Sequence, residues 1–156
     1  MPRLTLYRWA FPVMAICAIG PLSAQPCWEW ASPAPGGNTL HGLFFSDKNH
    51  GTVVGGRGMI MSTSDGGAHW TYTWSGTFSD LQEVHYLDRQ NGVIVGAGGT
   101  VLWTSDGGQS WTNRWYSGNN SLNGVVMTGP AEAYIVGGNG CILHTTDQGS
   151  SSDVQA

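Results

Sequence analysis

Asp65, Asp106 and Asp147 recur at intervals of 41 residues, and carboxylates at a fixed spacing raise the question of acid chemistry. Each sits in one motif: Thr63-Ser64-Asp65-Gly66-Gly67-Ala68-His69-Trp70, then Thr104-Ser105-Asp106-Gly107-Gly108-Gln109-Ser110-Trp111. A third copy, from Thr145 to Ser152, keeps Thr145, Asp147 and Gly149 and lacks the tryptophan. Calcium takes about six to eight oxygens, more than one Asp per turn without an acidic neighbour supplies. Hydrolysis of a glycoside needs two carboxylates across the bond. A catalytic residue is needed once, whereas this one returns in every unit, so it reads as structural. In that role the Asp accepts backbone N–H groups a few residues on, and the Thr hydroxyl bonds across the turn. Gly67 and Gly108 supply conformations that a Cβ resists. Trp70 and Trp111 fold back to bury apolar surface between sheets.

The elements that carry the motif repeat with it. Leu40 to Phe45, Leu81 to Tyr86 and Leu122 to Met127 open each unit as a strand A. The β-branched runs Thr52 to Gly55, Val93 to Gly96 and Tyr134 to Gly137 read as a buried strand B. Glycine-rich turns lead to strand C at Met59 to Thr63, Val101 to Thr104 and Cys141 to Thr145. The Asp motif joins C to a strand D at His69 to Ser75 and Ser110 to Tyr116. Four strands per period of about 40 residues is the pattern of a propeller blade. The fold class expected is all-β, a partial β-propeller of three blades at about 39–79, 80–120 and 121–156. The third unit has no convincing strand D, while Trp28 and Trp30 mark an extra strand at 27–32. Three blades make an open arc, since rings run from about four blades to eight. The reading favoured is a fragment of a larger propeller; self-association through the open edges, or a partner covering them, are the other solutions.

The 24 glycines and the 10% of charged residues fit many turns and little helix. Residues 1–24 have Arg3 and Arg8 ahead of an apolar run and a small-residue cleavage point at Ser23-Ala24, which is a signal-peptide pattern. The mature chain, 25–156, is then expected to be exported, to the periplasm, the thylakoid lumen or the extracellular space. Losing Arg3 and Arg8 moves the formal charge from −4 to −6 and leaves only Lys48, Arg57, Arg89 and Arg114 as basic residues. Four scattered cations make no stripe for a phosphate backbone, so nucleic acid is not expected as a partner. Export permits a disulfide between Cys27 and Cys141; Cys141, aligned with Met59 and Thr100, equally fits a packed strand position. No ligand spacing supports a metal, and no cofactor is expected.

The Thr-x-Asp-x-Gly-x-x-Trp hairpin resembles the Asp-box, or bacterial neuraminidase repeat. The longer pattern, Leu40-x-x-Leu43-x-Phe45 followed by Gly55-x-x-Gly58-x-Ile60 and the motif through Trp70, is similar to the photosystem II assembly and stability factor family over residues 28–149. That resemblance implies a seven-bladed propeller in the thylakoid lumen or periplasm that binds a newly made photosystem II reaction-centre subunit. Members of the family carry more blades and an arginine-rich surface, with few counterparts among the four basic residues of this chain.

The function expected is a non-enzymatic exported scaffold for protein binding. Lys48 and Arg89 fall on the face of the Asp motifs, whereas Arg57 falls on the opposite face, near Trp74, Trp115 and Arg114, a candidate contact patch. The bland reading is that these cations solvate turns and the tryptophans pack between blades. The alternative function is a secreted glycan-binding or sialidase-like Asp-box protein, for which three dispersed arginines make no convincing carboxylate clamp.

Overall fold

The computed structural model describes residues 37–114, 116 and 118–150. The expected signal peptide at 1–24, the strand at 27–32, Cys27, Trp115 and the tail from 151 lie outside the described residues.

Eleven strands follow in chain order: β1 (Leu40–Phe45), β2 (Gly51–Gly55), β3 (Met59–Thr63), β4 (Thr71–Trp74), β5 (Leu81–Tyr86), β6 (Gly92–Gly96), β7 (Val101–Thr104), β8 (Thr112–Asn113), β9 (Leu122–Gly129), β10 (Glu132–Gly137) and β11 (Ile142–Thr145). They form three antiparallel sheets, β1-β2-β3-β4, β5-β6-β7-β8 and β9-β10-β11, each a meander in sequence order. The expected all-β, partial-propeller architecture is therefore observed. The D strands are shorter than the sequence suggests: β8 has two residues and ends well before Tyr116. Among the described residues the third sheet has three strands.

Side chains alternate between the two faces of a strand, and the repeat turns this alternation into blade stacking. From the first sheet Val54 and Ile60 point toward the second, where Leu81, Val84, Tyr86, Ile94 and Leu102 receive them. One repeat on, Val93, Val95, Val101 and Trp103 of the second sheet meet Leu122, Met127, Ala133, Ile135 and Leu143 of the third. Strand B thus has both faces covered in the first two sheets, which is why its residues form a continuous buried run. In β10 burial alternates instead, because no fourth sheet covers its outer face among the described residues. Full burial of Leu81, Ile94 and Leu102 stabilises by about 1.5–3 kcal/mol each.

Each blade fastens the start of its own strand A to its B–C turn. The Gly56, Ala97 and Gly138 amides donate to the carbonyls of Thr39, Asp80 and Ser121 at 2.8 Å, just before strand A of the same blade. That approach brings the Thr39 and Asp80 carbonyls against Gly55 and Gly96 so closely that a Cβ at either glycine would collide with backbone. The B–C turns that follow are single 3-10 turns, Gly56–Gly58, Ala97–Gly99 and Gly138–Gly140. Their middle residue is left-handed in every repeat. Gly98 meets this without strain, whereas Arg57 (φ 59°) and Asn139 (φ 58°) bring side chains there.

Candidate functional site

The Asp motif folds into the same hydrogen-bonded hairpin three times. The Thr63, Thr104 and Thr145 hydroxyls donate to Asp65, Asp106 and Asp147 Oδ1 at 2.8, 2.7 and 2.9 Å. The same hydroxyls accept the amides of Gly67, Gly108 and Gly149 at 3.0, 3.0 and 2.7 Å. Asp65 Oδ1 also accepts the His69 amide at 2.9 Å, and Asp106 Oδ1 the Ser110 amide at 3.0 Å. In the third copy Asp147 Oδ1 accepts the Ser150 amide at 2.9 Å.

Hydrogen bonds to the ionised form hold Asp65 and Asp106 below the usual carboxylate range. For Asp65 the His69 amide contributes most, then the His69 ring and the Thr63 hydroxyl. For Asp106 desolvation opposes the shift, and the Ser110 hydroxyl and amide with the Thr104 hydroxyl outweigh it. Each carboxylate is engaged by hydrogen bonds within its own turn.

Each lock is stitched to the A–B turn beside it. The Gly66, Gly107 and Gln148 amides donate to the carbonyls of Asn49, Gln90 and Ala131 at 2.9, 3.0 and 2.9 Å. Asp47 and Asp88 close those turns by accepting the amides two and three residues on. Lys48 and Arg89 are carried on these turns and are both exposed. Arg89 Nε lies 3.0 Å from Asp47 Oδ2, so its charge bridges the first two blades. Among the described residues Lys48 has no such partner. The structure therefore gives the two equivalent cations different roles.

Trp70 packs on Val53, Met59 and Met61, edge-on to Phe45 at 6.2 Å. Trp111 packs at the first blade interface, edge-on to Tyr86 at 6.2 Å. The Tyr86 hydroxyl accepts the Thr52 hydroxyl of the neighbouring blade at 3.2 Å, and burial pushes its pKa up to about 12. At the next interface the Met127 amide donates to His85 Nδ1 at 3.3 Å, and burial lowers the His85 pKa, which favours the neutral ring that can accept.

The opposite end of the blades holds an exposed aromatic pair. Trp74 ends β4 in register with Met59, two residues after Arg57. Its ring meets Phe78 edge-on at 5.2 Å, and the two are 53% and 76% exposed. Asp80 Oδ1 accepts the Arg57 amide at 2.8 Å, fixing the turn that presents the exposed Arg57 side chain. The structure brings Arg57, Trp74 and the 75–80 connection together. Arg114 lies a blade away, its Cβ against Gly149 of the third hairpin. Phe78 was absent from the sequence candidates; its signal is a lone aromatic in the polar run Gly76-Thr77-Phe78-Ser79, with no strand to bury it. Cys141 packs at the edge of the second blade interface.

The sequence model of the family described as Photosynthesis system II assembly factor YCF48 matches residues 73–154, just over half of the chain. The chain belongs to this family. Among solved structures, "YCF48 bound to D1 peptide" is similar with a TM-score of 0.69 and 28% identity, over 77% of this chain and 41% of its own. YCF48 from Cyanidioschyzon merolae gives a TM-score of 0.70 and 26% identity, over 78% of this chain and 41% of its own. No curated protein matches. The chain thus spans about two fifths of the length of these YCF48 structures.

Proposed function

We propose that the chain is a non-enzymatic, exported scaffold of photosystem II assembly that binds a segment of a reaction-centre subunit. The observation that carries this reading is membership of the YCF48 family together with the likeness to a YCF48 that holds a D1 peptide. Two features of the site support it. The repeated carboxylates are engaged by their own hairpins, in the manner of structural acids. The Arg57, Trp74 and Phe78 cluster offers an extended peptide a cation and two exposed rings, residue types that dominate binding energy at protein interfaces. Export rests on the signal-peptide pattern of residues 1–24 and places the 25–156 propeller domain in the thylakoid lumen or the periplasm.

The experiment is a pull-down from solubilised photosynthetic membranes with the tagged chain as bait. Recovery of the D1 reaction-centre subunit is expected. Recovery of unrelated envelope proteins without any photosystem II subunit would refute the assembly role.

A further inference from the structure

Among the described residues four buried side-chain polar atoms have no hydrogen-bond partner: Ser62 Oγ, Trp103 Nε1, Trp111 Nε1 and Arg114 Nε. Two of them belong to residues that converge on one place. Trp103 is in register with Thr112, and the Arg114 amide extends that ladder to the Val101 carbonyl at 2.7 Å. Side chains alternate along a strand, so Trp103, Thr112 and Arg114 share the face that the second sheet turns toward the third blade. Gly149 of the third hairpin stands opposite: a Cβ there would lie 3.6 Å from Arg114 Cβ and 4.0 Å from Trp103 Nε1. Trp103 also lines a crevice of about 60 Å³, together with Ser105, Thr112 and Gln148. The site belongs to this junction alone, because the positions one repeat before and after Trp103 are Ser62 and His144.

Indole and guanidinium nitrogens donate and never accept, so whatever meets them must be an acceptor. Trp103 is 3% exposed, and a buried donor left unmet is costly. Buried charge, moreover, is matched by pairing. Arg114 takes part in none of the ion pairs among the described residues. The carboxylates of the flanking hairpins are engaged: Asp106 accepts the Thr104 and Ser110 hydroxyls, and Asp147 accepts the Thr145 hydroxyl and the Ser150 amide.

We propose that the crevice at the second blade junction binds a small oxyanion, a carboxylate or a phosphate, whose oxygens accept Trp103 Nε1–H and Arg114 Nε–H. Water would satisfy both donors and leave the guanidinium charge unpaired, whereas an oxyanion does both. Charged acceptors also form the shorter and stronger bonds with guanidinium. The volume suits such a group: one water position takes about 10–15 Å³, so the crevice holds several heavy atoms. The site lies a blade away from Arg57, Trp74 and Phe78, and does not rest on the peptide reading.

The test is a nitrogen-edited NMR titration of the purified 156-residue chain, read at the Trp103 indole N–H. Sodium acetate and sodium phosphate are added in separate arms, each against sodium chloride at matched ionic strength. A saturable downfield shift is expected; acetate alone acting assigns a carboxylate, phosphate alone a phosphate. Arg114→Gln is expected to weaken binding by at least about tenfold, the worth of a hydrogen bond to a charged group. Arg114→Lys, which keeps the charge and removes the Nε donor, stands in if Arg114→Gln loses its β-sheet circular dichroism. A Trp103 resonance that neither oxyanion moves, or that chloride moves equally, overturns the proposal. So does a shift that the Arg114 substitution leaves unchanged.

Discussion

Leu40 and Leu81 occupy the same place in successive blades, each opening a strand A opposite the last glycine of strand B, yet Leu81 is wholly buried and Leu40 is half exposed. Among the described residues, Leu81 has the Val54 and Ile60 face of the first blade to pack on, and Leu40 has no equivalent face. Position in the stack decides how much each repeat residue contributes. The pair therefore measures blade stacking with side-chain chemistry held constant. Leu81→Ala is expected to cost about 2–5 kcal/mol in urea unfolding, as truncations in packed cores do. Leu40→Ala is expected to cost less than about 1 kcal/mol in the same measurement.

The second blade's lock turns on a hydroxyl. Thr104 is buried, donates to Asp106 and accepts the Gly108 amide. Thr104→Val keeps the shape and leaves a buried amide without an acceptor, for which a loss of about 1–3 kcal/mol is expected. Chemical denaturation measures it. Thr104→Ser, which restores the oxygen, is expected to recover most of the loss.

Acid should unfold the chain through its turns. Asp65, Asp106, Asp47 and Asp88 all have folded pKa values below the ordinary carboxylate value. A depressed carboxylate binds fewer protons in the folded state than in the unfolded one, so stability rises with pH. The contribution is complete above about pH 4, the unfolded value, and is lost as pH falls toward the folded values. Urea midpoints between pH 7 and pH 2 should show a flat region and then a fall beginning near pH 4. Asp65→Asn and Asp106→Asn should each flatten the fall.

Tyr86 gives the alkaline counterpart. Its folded pKa of about 12 exceeds the unfolded value of about 10, so the neutral phenol is favoured by folding. That contribution is present below about pH 10 and is lost as pH rises toward 12. Phenolate absorbance should therefore show one tyrosine titrating late, and Tyr86→Phe should remove that late step.

Most of the fold was legible because the 41-residue period imposes one solution three times. Strand A was placed to the residue at Leu40–Phe45 and Leu81–Tyr86, and the hairpin locks follow from the Thr, Asp and Gly spacing alone. Strand D was not legible. Its alternation continues past Asn113, where the Arg114 and Tyr116 amides still donate to the Val101 and Gly99 carbonyls beyond the assigned two-residue strand, and such pairing depends on a neighbouring strand that periodicity does not describe. The B–C turns were read as glycine turns, and the repeat demands a left-handed residue; Arg57 and Asn139 fill it without being glycine. Only some members of the proposed contact patch stood out in the sequence. Arg57 and Trp74 stood out by type, whereas Phe78 becomes a candidate only when its ring is seen outside any sheet, against Trp74. The bridging role of Arg89 depends on the approach of two blades, which a single repeat does not encode.

Peptide binding at the Arg57, Trp74 and Phe78 cluster is the central claim, and calorimetric titration of a D1 peptide into the purified chain tests it most directly. Saturable binding is expected, with Trp74→Ala weakening it by at least about tenfold, or about 1.4 kcal/mol. Arg57→Gly separates binding from folding, since glycine relieves a left-handed φ of 59° while removing the cation. It is expected to keep or raise the urea midpoint and to weaken the peptide complex. Absence of any binding heat, or binding that neither substitution alters, would contradict the account.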